Sequence, residues 1–299
     1  MPLLERQNPT YHGPEPGAPQ GKALGKQDVL RRFPWVGEAL YRAASRAFPV
    51  GITQSWASRT TPLAHDPLLR QVLPHPEELL AHPGDLPDPV GDKAKSRVPW
   101  LVQKHPDRAL LITTKRCHVY CRFCFRRDHK PGERLDPAPQ ELNRALLAAK
   151  ESGARELILS GGDPLSLTNH QLSDLLDRAK QDFKVIRIHT RAPITAPGRV
   201  DNGLIQALKR NAPTWVVLHC NHPNELNEEV ELAIQRLRSS GATVLNQSVL
   251  LSGVNDNVDT LATLMERLVE VGVFPYYLHH TDPVPGNAHF RVSAQQGLA

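Results

Sequence analysis

Cysteine is scarce. Only four occur in 299 residues, and Cys117, Cys121 and Cys124 fall within one short segment, so a disulfide scaffold is excluded and a reducing cytoplasm is the expected location. No stretch approaches about 18 consecutive apolar residues, which excludes a transmembrane helix and with it a membrane partner. The opening MPLLERQNPTYHGPEPG breaks into Pro, Gly and charge, leaving no apolar core for a signal peptide. There is no long basic run either: 36 basic residues stand against 31 acidic ones, a net charge of +5 spread along the chain, and no nucleic-acid partner is expected. What remains, 40% hydrophobic and 22% charged, is the composition of a globular protein with a sizeable core.

Residues 1–103 are rich in Pro and Gly, with helical patterns only at Val29–Phe48 and Pro67–Leu80, and read as an irregular, partly helical N-terminal extension. From about Asp107 apolar runs of strand length alternate with segments of helical period. The expected strands are Ala109–Thr114, Glu156–Ser160, Val185–Thr190, Trp215–Cys220, Thr243–Val249 and Phe274–His279. Helices are expected at Pro139–Ser152, Asn169–Gln181, Asn202–Arg210, Glu225–Ser240 and Asn257–Val271. Such alternation is the mark of an α/β fold with parallel strands and right-handed crossovers, either an open sheet or an incomplete barrel of six units spanning 104–282, with 283–299 beginning a further C-terminal segment. In both arrangements ligands bind at the carboxyl ends of the strands. Most polar residues of interest gather there, including His189, Arg191, Asn221, His279 and His280.

Cys117-His-Val-Tyr-Cys121-Arg-Phe-Cys124 puts three soft ligands in one loop. Three thiolates on a four-iron cluster leave one iron open to chelate the amino and carboxylate groups of a small molecule. A zinc site completed by His118, Asp128 or His129 is the alternative. Gly161-Gly162-Asp163 follows the second strand, where a backbone without side chains can approach a ligand and a carboxylate can accept from an ammonium; a tight strand-to-helix turn is the plainer reading. Arg126 suits bidentate capture of a carboxylate, or else belongs to a solvated basic cluster with Arg122 and Arg127. Asn246 and Gln247, amides within a strand, imply a polar cavity. His219 and His222 either line that cavity or are satisfied core histidines. Asp282 before Pro283 is ordinary turn chemistry, and Cys220 packs as a small apolar residue with no assigned role.

CHVYCRFC, with the aromatic Phe123 before its last cysteine, resembles the CxxxCxxC signature of the radical S-adenosylmethionine superfamily. Together with CRFCFRR, LILSGGDPLSL, RIHTRAPI, HCNHPNEL, LNQSVLLSGVND and YYLHHTDPVPGNAHF, it resembles the lysine 2,3-aminomutase family and its elongation-factor-modifying relatives from about Pro62 to Val292. The resemblance implies a partial (β/α)6 radical SAM barrel. It also implies a four-iron four-sulfur cluster on Cys117, Cys121 and Cys124, with S-adenosylmethionine contacted by Phe123, Gly161, Gly162, Asp163, His219 and Gln247. Arg126 and Asp282 correspond to the groups that meet the carboxylate and distal ammonium of lysine, and Lys104 to a residue near the phosphate of pyridoxal phosphate. The implied reaction is interconversion of L-lysine and β-lysine by amino migration, driven by a 5′-deoxyadenosyl radical and an external reductant such as flavodoxin or ferredoxin, possible in a homo-oligomer.

The pattern breaks in two places. His105 stands where the family usually has a tyrosine, and no lysine follows Lys209, so the family's Schiff-base lysine has no counterpart in these residues. RVSAQQGLA ends where the family begins another helix, which implies a shortened C-terminus. Two further readings therefore stay open: an elongation factor P lysine-modifying relative, and a degenerate cluster-binding chain without turnover.

Overall fold

The computed structural model describes residues 23–127 and 133–298. Its frame is one eight-stranded sheet in sequential order: β1 Ser96–Val98, β2 Leu101–Val102, β3 Arg108–Thr114, β4 Glu156–Gly161, β5 Val185–Thr190, β6 Trp215–His219, β7 Thr243–Val249 and β8 Phe274–His279. From β3 to β8 every pairing is parallel, so the six expected strands form an open α/β half-barrel. Each crossover exceeds the length of a hairpin and carries a helix, as parallel pairing demands. The two leading strands pair antiparallel with each other and onto β3. They escape the sequence pattern because three and two residues are too short for alternation to register.

The longer helices between the parallel strands are Pro139–Glu151, Asn169–Asp182, Asn202–Arg210, Glu228–Ser239 and Val258–Glu270. Their starts are set by caps. Thr168 and Gln171 form a reciprocal capping box, Asp201 accepts from Leu204 N–H, and Asn257 accepts from Thr260 N–H. The fourth helix begins at Glu228 rather than the expected Glu225, because Pro223–Glu225 closes a separate 3-10 turn and Asn227 then caps the helix by accepting from Val230 N–H at 3.1 Å.

The N-terminal region holds helices Lys26–Arg32, Glu38–Ala47, Gln54–Ser58 and Pro67–Arg70, with a 3-10 turn at Pro76–Leu79. The expected continuous helices over 29–48 and 67–80 are each broken, at Pro34 and after Arg70. Phe33, Ile52, Trp56, Leu68 and Leu69 are fully buried in the same core as Leu111, Leu159, Leu176 and Leu218. The N-terminal region thus covers the sheet instead of trailing from it. At the other edge no residue of β8 is buried, and among the described residues no strand pairs its outer side. No helix among the described residues is long and apolar enough to cross a membrane.

Candidate active site

The cysteine loop leaves β3 at Thr114 and is pinned by backbone bonds to the N-terminal region: Tyr120 N–H donates to Gly51 O at 3.2 Å and Arg122 N–H to Gln71 O at 2.8 Å. Within the loop, Cys124 N–H donates to Cys121 O at 3.0 Å, folding the third thiol back beside the second. All three thiols are half-buried and free. Burial, and then the charges of Asp163 and the two neighbouring cysteines, push Cys117 well up. Burial followed by Cys121 pushes Cys124 up to about 11. Burial and mutual repulsion thus keep Cys117 and Cys124 as neutral thiols, and a metal centre between them would favour the thiolate form that ligation requires.

Among the described residues, no three His, Cys, Asp or Glu side chains converge as ligands of one metal ion. A four-iron cluster is held by single thiolates on separate irons, whereas a structural zinc ion needs a fourth protein ligand beside the three cysteines. Of the three alternative zinc ligands, His118 is buried with Nε2 against Leu165 O at 3.4 Å, and Asp128 and His129 lie outside the described residues.

Gly161 and Gly162 serve the loop directly. A Cβ on Gly162 would stand 2.3 Å from Arg116 O, and one on Gly161 2.4 Å from Thr114 O, with Gly161 at φ +122°. Gly162 N–H donates to Thr114 O at 2.6 Å and Asp163 N–H to Arg116 O at 2.8 Å, so the end of β4 is zipped to the residues that enter the cysteine loop. The Asp163 carboxylate is buried and receives four donors. Leu165 N–H and Thr190 Oγ1 reach Oδ1, at 2.9 and 2.6 Å, while Arg191 N–H and Ala192 N–H reach Oδ2, at 2.8 and 2.9 Å; the bond from Leu165 also caps the Pro164–Ser166 turn. Asp163 therefore fastens β4 to the end of β5.

Arg126 does not lie in a solvated basic cluster. Its neighbours Arg122 and Arg127 are buried on Glu78, with Arg122 Nη2 to Oε2 at 2.5 Å and Arg127 Nη2 to the same oxygen at 2.9 Å. Arg126 itself reaches Asp92 Oδ2 through Nε and Nη2 at 3.0 and 2.8 Å, while Lys104 Nζ meets Asp92 Oδ1 at 2.6 Å. Burial pushes the Asp92 carboxyl up, but Arg126 and Lys104 outweigh it and hold it below its ordinary range. Asp282 is half-buried, and desolvation raises its pKa against the opposing charges of His279 and Lys104. Arg126, Lys104 and Asp282 are thus brought into one neighbourhood, with Asp92 bridging the two cations. Lys104 also lines a surface cavity of about 490 Å³ with Lys95, Arg97 and His105, and no residue of the cysteine loop is among its lining.

Phe123 is buried beside His219, ring centroids 5.4 Å apart, and beside Phe290 at 6.1 Å. His219 pairs in register with Gln247, which pairs in turn with Tyr277, so the three share one row across β6 to β8. Nε2 of His219 and of His189 are enclosed without a protein partner, leaving two imidazole nitrogens available to a ligand in the half-barrel. Asn246 is different. Its amide accepts from Cys220 N–H at 2.9 Å and donates to Cys220 O at 3.1 Å, clamping β6 to β7 rather than lining a cavity.

Burial holds His189 down to about 3 and His289 down to about 4. Their folded pKa values lie below the ordinary imidazole value, so the unfolded chain takes up protons first as pH falls. Stability is accordingly expected to drop below about pH 6.5 by about 1.4 kcal/mol per pH unit for each histidine, before carboxylates add their share. Urea unfolding at pH 7 and pH 5 measures this, and equal stabilities at the two values would count against it.

Sequence reasoning missed Asp92, Glu78, Gln71 and Glu225, all of which hold a site arginine. Their only signal is the buried arginines themselves, each of which requires an acceptor.

The Radical SAM superfamily profile matches residues 111–265. The chain is 42% identical to an L-lysine 2,3-aminomutase of Escherichia coli (strain K12) over 257 residues, 84% of this chain and 75% of that protein. It is 36% identical to a putative L-lysine 2,3-aminomutase of Aquifex aeolicus, covering 90% of this chain and 74% of that one. With the L-lysine 2,3-aminomutase of Clostridium subterminale the identity is also 36%, over 78% of this chain and 57% of the relative. A radical SAM sheet with three thiols at the end of its first parallel strand, and this degree of identity over most of its length, make the chain a member of the lysine 2,3-aminomutase family of radical SAM isomerases.

Proposed function

We propose that the protein interconverts L-lysine and β-lysine by moving the amino group between C2 and C3. The observation that supports this most is the joining of three free thiols, at the end of β3, to an Arg126–Asp92–Lys104 group near Asp282. Cys117, Cys121 and Cys124 hold the four-iron four-sulfur cluster, and their donor set of three free thiols in one loop fits it. When bound, the cluster and S-adenosylmethionine supply the radical that removes a substrate hydrogen.

The chain's own residues bind and enclose. Phe123, Leu251, Val254 and Phe290 form a small apolar cluster against Cys121, which keeps water from that side of the loop. His219 and Gln247 offer polar atoms from the adjoining strands to S-adenosylmethionine. Arg126 exchanges Asp92 for the substrate carboxylate, and Asp282 accepts the distal ammonium. For pyridoxal phosphate, Lys104 offers a cation to the phosphate. No lysine follows Lys209 in these residues.

Anaerobic reconstitution with iron and sulfide, then reduction with S-adenosylmethionine, pyridoxal phosphate and lysine, tests the reading. Release of 5′-deoxyadenosine together with β-lysine is expected. Cluster and nucleoside without β-lysine would reject the aminomutase activity while leaving the cluster assignment standing. Arg126→Gln is expected to raise the KM for lysine about a hundredfold, the loss of a bidentate charge-assisted pair worth about 3 kcal/mol. An unchanged KM removes Arg126 from substrate binding.

A further inference from the structure

Arg191 leaves the end of β5 and is buried, yet neither of its outer nitrogens is idle. Nη1 donates to Cys121 Sγ at 2.8 Å, and Nη2 donates to Gln71 Oε1 at 2.5 Å and to Glu225 Oε2 at 3.2 Å. The guanidinium lies over the Trp56 ring at 4.8 Å and the Phe123 ring at 5.2 Å. Aromatic faces on two neighbours and a carboxylate behind it fix the planar group so that one N–H edge faces the sulfur. Glu225 is fully buried and its charge is shared: Gln71 Nε2 and Asn221 N–H also donate to Oε1, at 2.9 and 3.1 Å. The counter-charge is thereby spread over three partners on the far side, whereas a positive edge is aimed at the thiolate.

We infer that Arg191 is a positioning residue for the cluster, donating to the Cys121 sulfur and easing the cluster's one-electron reduction. The inference rests on the proposed assignment of the three cysteines. A thiolate bound to iron keeps lone pairs that accept N–H donors, and such bonds, together with nearby charge, set iron–sulfur potentials. An external low-potential donor gives one electron to the oxidised cluster, which gains one negative charge with no bond broken. Part of that charge resides on the thiolate sulfurs. A cation in a poorly solvated site favours the more negative state, because little water screens it.

The test is a redox titration of the full chain after anaerobic reconstitution, with dithionite as reductant and electron paramagnetic resonance of the reduced cluster as the signal. Relative to wild type, Arg191→Gln is expected to lower the reduced-to-oxidised ratio at fixed potential about tenfold, about 59 mV for a one-electron couple. Arg191→Lys keeps the charge but loses the planar fork, and its midpoint is expected between the two. Should Gln leave Glu225 unpaired and prevent loading, the double variant Arg191→Gln with Glu225→Gln removes both buried charges together, and is expected to shift in the same direction. Cluster-loaded variants with the wild-type midpoint would overturn the role of Arg191. Wild type without iron and sulfide would overturn the cluster assignment and this inference with it, an outcome told apart by metal analysis alone.

Discussion

Replacing any one of Cys117, Cys121 and Cys124 by alanine is expected to lower 5′-deoxyadenosine release by more than about a thousandfold, which corresponds to ~4 kcal/mol of lost transition-state stabilisation. Three ligands are the fewest that can fix a cubane while leaving one iron open to a small molecule. Loss of one opens a second iron to solvent, and the half-buried loop offers no replacement: the remaining cysteine, Cys220, is fully buried, with Sγ directed to His222 O at 3.6 Å. Cys220→Ala is therefore the control and is expected to load iron and sulfide as wild type does. Each alanine variant should lose cluster absorption and nucleoside release together. A variant that kept nucleoside release would remove its cysteine from the ligand set.

The parallel strands were legible because short segments rich in Val, Ile and Leu recur with helices of ordinary length between them; β5, β7 and β8 begin and end where the pattern places them. Legible, too, was the convergence of the cysteines with Gly161–Asp163, since consecutive strand ends of a parallel sheet face one way. The role of the N-terminal region was not. Gln71 and Glu78 sit in a short helical pattern and Asp92 in a Pro-rich stretch without period, and only the fold shows that they meet arginines 34 to 120 positions away. Nor could sequence tell whether Asp163 faces a ligand or a backbone. Its donors come from Leu165, Thr190, Arg191 and Ala192, a set assembled only when β4 and β5 pair.

Gly162→Ala should be the most damaging single methyl in the molecule. The added carbon would lie 2.3 Å from Arg116 O, 2.6 Å from Lys115 C and 2.8 Å from Arg116 N, all of them backbone atoms that no rotamer change can move aside. Relief requires the end of β4 to separate from the entry to the cysteine loop, and that breaks the bonds from Gly162 N–H to Thr114 O and from Asp163 N–H to Arg116 O. Overpacking together with two lost buried hydrogen bonds is expected to cost about 3 kcal/mol or more, lowering the thermal midpoint by roughly 5–10 °C. Cluster loading should fall with it, because the displaced residues lead straight into Cys117. Gly198→Ala is the matched control, since its added carbon meets nothing within 4 Å, and it is expected to leave both midpoint and iron content unchanged. If Gly162→Ala melted with wild type and held its cluster, the close approach of β4 to the cysteine loop could not be what shapes the metal site.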